Sequence, residues 1–187
     1  STGTTGLNSS VIIGKGALQA GSQSQLSVLI GTQAGYSLSS ANTNGTVALG
    51  HQSQFRSETG RYNTGLGYAT LRTNIDGDSN TAVGYASMYN FEAASDGEGD
   101  NTAVGTNALN NATTGTHNTA VGSHVARTGT NDLTTGTGNT LIGSYAALSS
   151  GSAVNEIVIG SGSIGLGDNQ TVIGNSGQTH VVFGGDA

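Results

Sequence analysis

Apolar and polar positions along the chain recur in a five-residue unit that ends in glycine. Five successive copies are nearly identical: NTGLG at 63–67, NTAVG at 80–84, 101–105 and 118–122, and NTLIG at 139–143. Looser copies precede them (SVIIG from Ser10, SVLIG from Ser27, TVALG from Thr46), and EIVIG from Glu156, QTVIG from Gln170 and HVVFG from His180 follow. The residue before each glycine is always large and apolar, and two positions before that residue stands Val, Ile or Thr. Period-two alternation with β-branching predicts a short strand in every copy. The residue between these two, Ala82, Ala103, Ala120 or Leu141 for example, is also apolar or glycine, so both faces of the strand are expected to be buried.

Successive closing glycines are separated by 17, 19, 17, 17, 21, 17, 21, 17, 14 and 10 residues. The base period is therefore 17, and the longer gaps predict insertions of two or four residues at one turn. Val83, Gly84, Val104, Gly105, Val121 and Gly122 define the register of the repeat. A glycine closing each strand fits a corner, where positive φ or close backbone approach is needed. A weaker apolar column follows four or five residues later, at Leu18, Tyr36, Phe55, Leu71, Met88, Leu109, Ala126 and Leu148, and turn-forming runs fill the remainder.

One 17-residue coil has too few large apolar groups to stand alone, so coils must stack on one another. Eleven layers at about 4.8 Å each predict a rod about 50 Å long. Such a thin coil hides only one strand face within itself, and the other needs a second chain. The fold expected is therefore all-β, a parallel β-roll or β-helix repeat solenoid, assembled as an intertwined or side-by-side homotrimeric fibre. Residues 1–9 would connect to a preceding segment, 10–160 would form the shaft, and 161–187 the shorter terminal coils. The start at Ser1 without Met suggests a segment or processed product of something longer.

Composition narrows the function. The 187 residues include 32 glycines and no proline, cysteine or tryptophan, and 9% are charged. Without cysteine there is no disulfide framework, thiolate metal site or thiol nucleophile. A net charge of −6 with five Lys and Arg argues against nucleic-acid binding. No apolar run approaches the length of a membrane-spanning helix, so membrane insertion is not expected.

The copies NTAVG, with continuations such as GYASMYN at 84–90 and GTNALNNATTGTHNTAVG at 105–122, resemble the repeats of bacteriophage tail fibres, many of which end in an endosialidase-type intramolecular chaperone. The strand unit is also similar to the head repeats of YadA-like trimeric adhesins, whose usual period of 14 is matched here between Gly160 and Gly174. The resemblance implies a structural and adhesive segment of a trimeric tail fibre, on a virion or an extracellular surface, with binding loops turned toward a host. Its implied partners are two further copies of the chain, other fibre or tail proteins, and a host cell-surface glycan or protein. The alternative it implies is the head of a bacterial trimeric surface adhesin or another extracellular filament subunit. A carbohydrate-degrading spike is a third, enzymatic option. The terminal stretch from Ile157 resembles the coils preceding such a chaperone, which implies self-cleavage near Ala187.

Candidate chemistry outside the repeat is sparse. Asp96, Glu98 and Asp100 alternate with glycine in an acidic insertion and could offer oxygens to Ca²⁺, although the bidentate glutamate of an EF-hand is missing and a solvated loop is the simpler reading. No other cofactor is indicated. Of His51, His117, His124 and His180, three copies of one could meet at a trimer axis and bind a metal, but turn hydrogen bonding is the plainer role for His180. Tyr68, Tyr85, Tyr89 and Phe91 are the candidate ligand contacts, against a reading in which they pack over neighbouring coils. The threonines at 64, 81, 102, 119 and 140 suggest an ice-binding array, yet they share a face with Val83, Val104 and Val121, which needs burial. The insertions at 90–100 and 128–138 are the candidate binding loops. No nucleophile elbow or phosphate loop is complete, so an enzyme is not expected.

Overall fold

The computed structural model describes residues 10–19, 26–38, 44–95 and 97–177. Each predicted unit within them forms a three-residue strand: β1 (Val11–Ile13), β2 (Val28–Ile30), β3 (Val47–Leu49), β4 (Thr64–Leu66), β5 (Thr81–Val83), β6 (Thr102–Val104), β7 (Thr119–Val121), β8 (Thr140–Ile142), β9 (Ile157–Ile159) and β10 (Thr171–Ile173). They pair in sequence order, all parallel, in one ten-stranded sheet. The register matches the repeat: Thr81, Ala82 and Val83 pair with Thr102, Ala103 and Val104. The chain is a β-solenoid of about nine turns, and at about 4.8 Å per strand the sheet is about 43 Å tall. The copy at His180 lies outside the described residues.

The middle residue of the strand points inward. Leu29, Ala48, Ala82, Ala103, Ala120, Leu141 and Val158 are fully buried. Small residues suffice because the opposite wall is close; Leu71, Met88, Leu109 and Leu148 come from that side. Of the two apolar strand faces, the single chain covers the inner one and leaves uncovered the other, whose burial was expected from a second chain. Within one chain the flanking residues stay half-exposed or exposed, Leu66 at 41% and Ile142 at 43%. The weaker apolar column divides. Leu71, Met88 and Leu109, four residues after the glycine, are inside, whereas Tyr36 and Phe55, five residues after it, lean outward and stack on each other.

The corners carry the backbone strain. The closing glycine of β6, Gly105, has φ +136°, and a Cβ there would lie 2.3 Å from the carbonyl oxygen of Gly122 in the next coil. Only glycine lets successive corners nest this closely. Other corners use the left-handed region without glycine: Leu71, Met88 and Leu109 have φ of 49°, 50° and 49°. Burial of those three apolar side chains offsets a local cost of about 1–2 kcal/mol each.

One column of buried amides is paired along the rod axis. Asn63, Asn80, Asn101, Asn118 and Asn139 stack at the strand starts, all but fully buried. Each Oδ1 of the first four accepts the backbone N–H and the side-chain amide of the next, as Asn101 does from Asn118 at 3.0 and 3.1 Å. Glu156 ends the column. Its backbone N–H donates to Asn139 Oδ1 at 2.9 Å, and its carboxylate turns to the N–H and hydroxyl of Ser149.

The two four-residue insertions occupy different corners rather than one. In five successive coils among the described residues the turn closes three residues on, from Gly35 to Leu38, Gln54 to Ser57, Leu71 to Asn74, Met88 to Phe91 and Leu109 to Ala112. In the next, Leu133 N–H bonds to Ala126 O at 3.1 Å, so the turn closes seven residues on and residues 127–132 bulge outward. The other insertion falls between Phe91 and Asn101, where Ala94, Ser95, Gly97 and Glu98 are exposed.

Candidate functional site

Because equivalent positions stack, any aromatic repeated at one position builds a column of rings. One position after the corner glycine, His51, Tyr68 and Tyr85 stack at 5.0 and 5.1 Å between centroids, within 11° of parallel. Five positions after it, Tyr36 and Phe55 stack at 4.9 Å, and the Arg72 guanidinium lies 5.2 Å from the Phe55 ring and 5.4 Å from the Tyr89 ring. Cation–π attraction and dispersion hold this second column together. Tyr68 and Tyr85 are about half exposed and Tyr89 is partly buried beside Arg72. Phe91 is a correction. It is fully buried in the core and presents no ring to a ligand.

Asp96 lies outside the described residues. Glu98 is exposed, and Asp100 stands 3.6 Å from His117 Nε2 as an exposed pair. Among the described residues no group of three or more His, Asp or Glu side chains is arranged to hold a metal ion. Of the histidines, His51 stands in the first ring column, His117 beside Asp100 and His124 against Tyr145, and His180 lies outside the described residues. Glu92 is the described carboxyl displaced most clearly. Burial pushes it above the usual glutamate range, and nearby Asp76 adds to the rise, while the Ile75 N–H it accepts pulls the other way.

A third ring pair lies two positions after the corner glycine, beside the loop 127–132. His124 and Tyr145 stack at 5.0 Å and 9°. The His124 ring is fixed on both nitrogens. The Asn107 amide donates to Nε2 at 3.3 Å, which leaves the proton on Nδ1 to donate to Ser123 Oγ at 2.8 Å. Asp132 ties the loop down. Its Oδ1 accepts the N–H groups of Thr128 and Gly129 at 2.6 and 2.7 Å, and its Oδ2 accepts the Asn111 amide at 2.6 Å. Two clefts flank Tyr145, one lined by His124, Arg127 and Asp132, the other by Thr128, Thr130 and Ile164.

No family model matches the chain, and no curated protein matches it in sequence. The functional reading therefore stands on the fold and on this surface. The sequence singled out the insertion at 128–138, whose outward bulge begins at Arg127, but not Tyr145 as its floor. The signal was there: Tyr145 shares its column with His124 and with Gly162, which brings no side chain.

Proposed function

We propose that the chain is a shaft segment of a homotrimeric host-attachment fibre, a stiff rod that spaces and presents surface loops. The observation that carries this is the outer strand face. Over ten strands its flanking positions hold only Val, Ile, Leu and Thr, and Val11, Ile13, Leu49, Leu66, Val121, Ile142 and Ile173 are exposed. A continuous uncharged strip of that length is unlike a solvated surface. Its side chains repeat at the strand spacing, so a second copy with the same spacing can interdigitate along the whole length. Closed symmetry keeps such an assembly finite, and a threefold arrangement agrees with the tail-fibre repeats that the sequence resembles. Attachment would gain from three loops acting together.

The test is the mass of the native species by sedimentation equilibrium, with binding of labelled protein to candidate host cells read alongside. The expected mass is three times the 18.5 kDa chain. The pair Val104→Lys and Val121→Lys should dissociate it while leaving the interior intact. A well-folded monomer at micromolar concentration would remove the support for this reading. The 14-residue coil between Gly160 and Gly174 favours a second reading, the head of a trimeric bacterial adhesin, which a membrane anchor encoded downstream would support.

A further inference from the structure

We infer that the space over Tyr145 is a saccharide subsite. In each column of this solenoid a ring is normally covered by the side chain one coil further on, as Tyr68 is by Tyr85. Tyr145 covers His124 in that way, but the next member of its own column is Gly162. A Cβ added at Gly162 would meet only Asn175 Nδ2, at 3.9 Å. One face of the Tyr145 ring is thus left bare, and the residue is 53% exposed.

The vacant place is a cleft of about 340 Å³, at the small end of ligand sites. Tyr145 and Gly162 form its floor, and Ile164 stands at the side, 55% exposed. The bulged loop supplies the polar wall with Thr128, Thr130 and Asn131, and Asp132 holds that loop in place. A flat ring beside hydroxyls and an amide suits a molecule with an apolar face and a polar edge. A pyranose in the chair form, with its ring C–H groups on one face and equatorial hydroxyls around the rim, has that shape. An aliphatic ligand would leave the polar wall unpaired, and a strongly charged one would lie against apolar ring and isoleucine surface. The subsite deepens the fibre reading by naming what one of its loops holds, although binding in the cleft itself requires only a single chain.

The experiment is saturation-transfer NMR on the full chain with methyl β-glucoside, methyl β-galactoside and methyl N-acetyl-β-glucosaminide at millimolar concentration. Transfer is expected from aromatic protons to the ring C–H protons of at least one of the three. Gly162→Tyr should abolish it by extending the stack over Tyr145. That variant should still fold, because Gly162 has φ +64° and its column already carries side chains at His124 (φ 55°) and Tyr145 (φ 57°). Tyr145→Ala should also reduce transfer to background, whereas Tyr62→Ala, an exposed tyrosine elsewhere, should leave it unchanged. No transfer to any of the three sugars, or transfer that survives Gly162→Tyr, overturns the proposal. Sedimentation of the same samples separates the two readings: loss of transfer with association unchanged is the expected result for the cleft, and a monomer that still binds sugar keeps the cleft while removing the trimer.

Discussion

Removal of one amide from the buried asparagine column should cost far more than a surface asparagine does. In Asn101→Ala four hydrogen bonds go: two accepted from Asn118, one donated to Asn80 Oδ1 at 3.1 Å and one donated to Gly115 O at 2.9 Å. Two of the four partners keep another bond. The Asn118 amide still donates to Gly136 O, and Asn80 Oδ1 still accepts the backbone N–H of residue 101. The Asn118 N–H and the Gly115 carbonyl are left buried and empty. At about 1–3 kcal/mol for each stranded group, the variant should lose about 2–6 kcal/mol. That is a large share of the about 5–15 kcal/mol that holds a typical domain together. The control is Asn90→Ala, whose amide makes a long, exposed contact of 3.4 Å, and its cost should stay within about 0.5 kcal/mol. Urea unfolding followed by far-ultraviolet circular dichroism measures both, and hydrogen exchange at the Asn118 amide localises the loss. If the two variants unfold within about 0.5 kcal/mol of each other, the column is not holding the coils together and the reasoning fails.

Two further outcomes follow from the corners and from one half-buried carboxyl. Gly105→Ala should lower stability by about 2–6 kcal/mol, combining forbidden-φ strain with overlap against the Gly122 backbone. Gly138→Asn should be neutral within about 0.5 kcal/mol, since its φ of +71° lies in a column where Ser79, Asp100 and His117 already sit at φ 57°, 54° and 59°. Equal melting temperatures for the two variants would contradict this account. Glu92→Gln should matter only above acidic pH. Burial raises the folded carboxyl above its unfolded value, so the folded chain holds the proton more tightly and stability falls as pH rises through that interval. The variant should therefore gain on the parent at neutral pH and converge with it in acid; a difference independent of pH in urea titrations would refute the assignment.

Strand positions and register were legible in the sequence because each side chain in the five-residue unit repeats its neighbour's role in the next coil. Thr81, Ala82 and Val83 align with Thr102, Ala103 and Val104 by inspection, and that is the pairing observed. Which face turns inward was not legible, because both faces are apolar. Hydrophobicity alone favours Val83 over Ala82 for the core, whereas the narrow bore favours the alanine. The corners were half legible. Gly105 announces itself, but Leu71, Met88 and Leu109 adopt left-handed backbone while reading as ordinary core residues, since burial outweighs a local cost that the residue type does not display. Phe91 misled for a related reason: it borders a polar insertion in sequence yet fills the bore beneath it.

The site beside Tyr145 is a product of two irregularities that lie on either side of one regular coil, the coil that carries Tyr145. Seventeen-residue coils stacked without interruption would cover every ring with the next and leave no cleft deeper than a side chain. The four additional residues between Ala126 and Leu133 raise a wall beside the column. Two strands later the asparagine column stops at Glu156, whose carboxylate binds Ser149 rather than continuing the axial chain. The coil that follows β9 is three residues short of the base period, with 14 residues between Gly160 and Gly174 against 17. Its members above the wall are Gly162 and Ile164, so the floor is uncovered just where the wall rises. A regular repeat is sufficient for a rod, since every layer supplies the same contacts to the next. Recognition requires a place where layers differ, and a widened coil and a shortened one on either side of a regular coil supply it without disturbing the strand register that runs unbroken from β1 to β10.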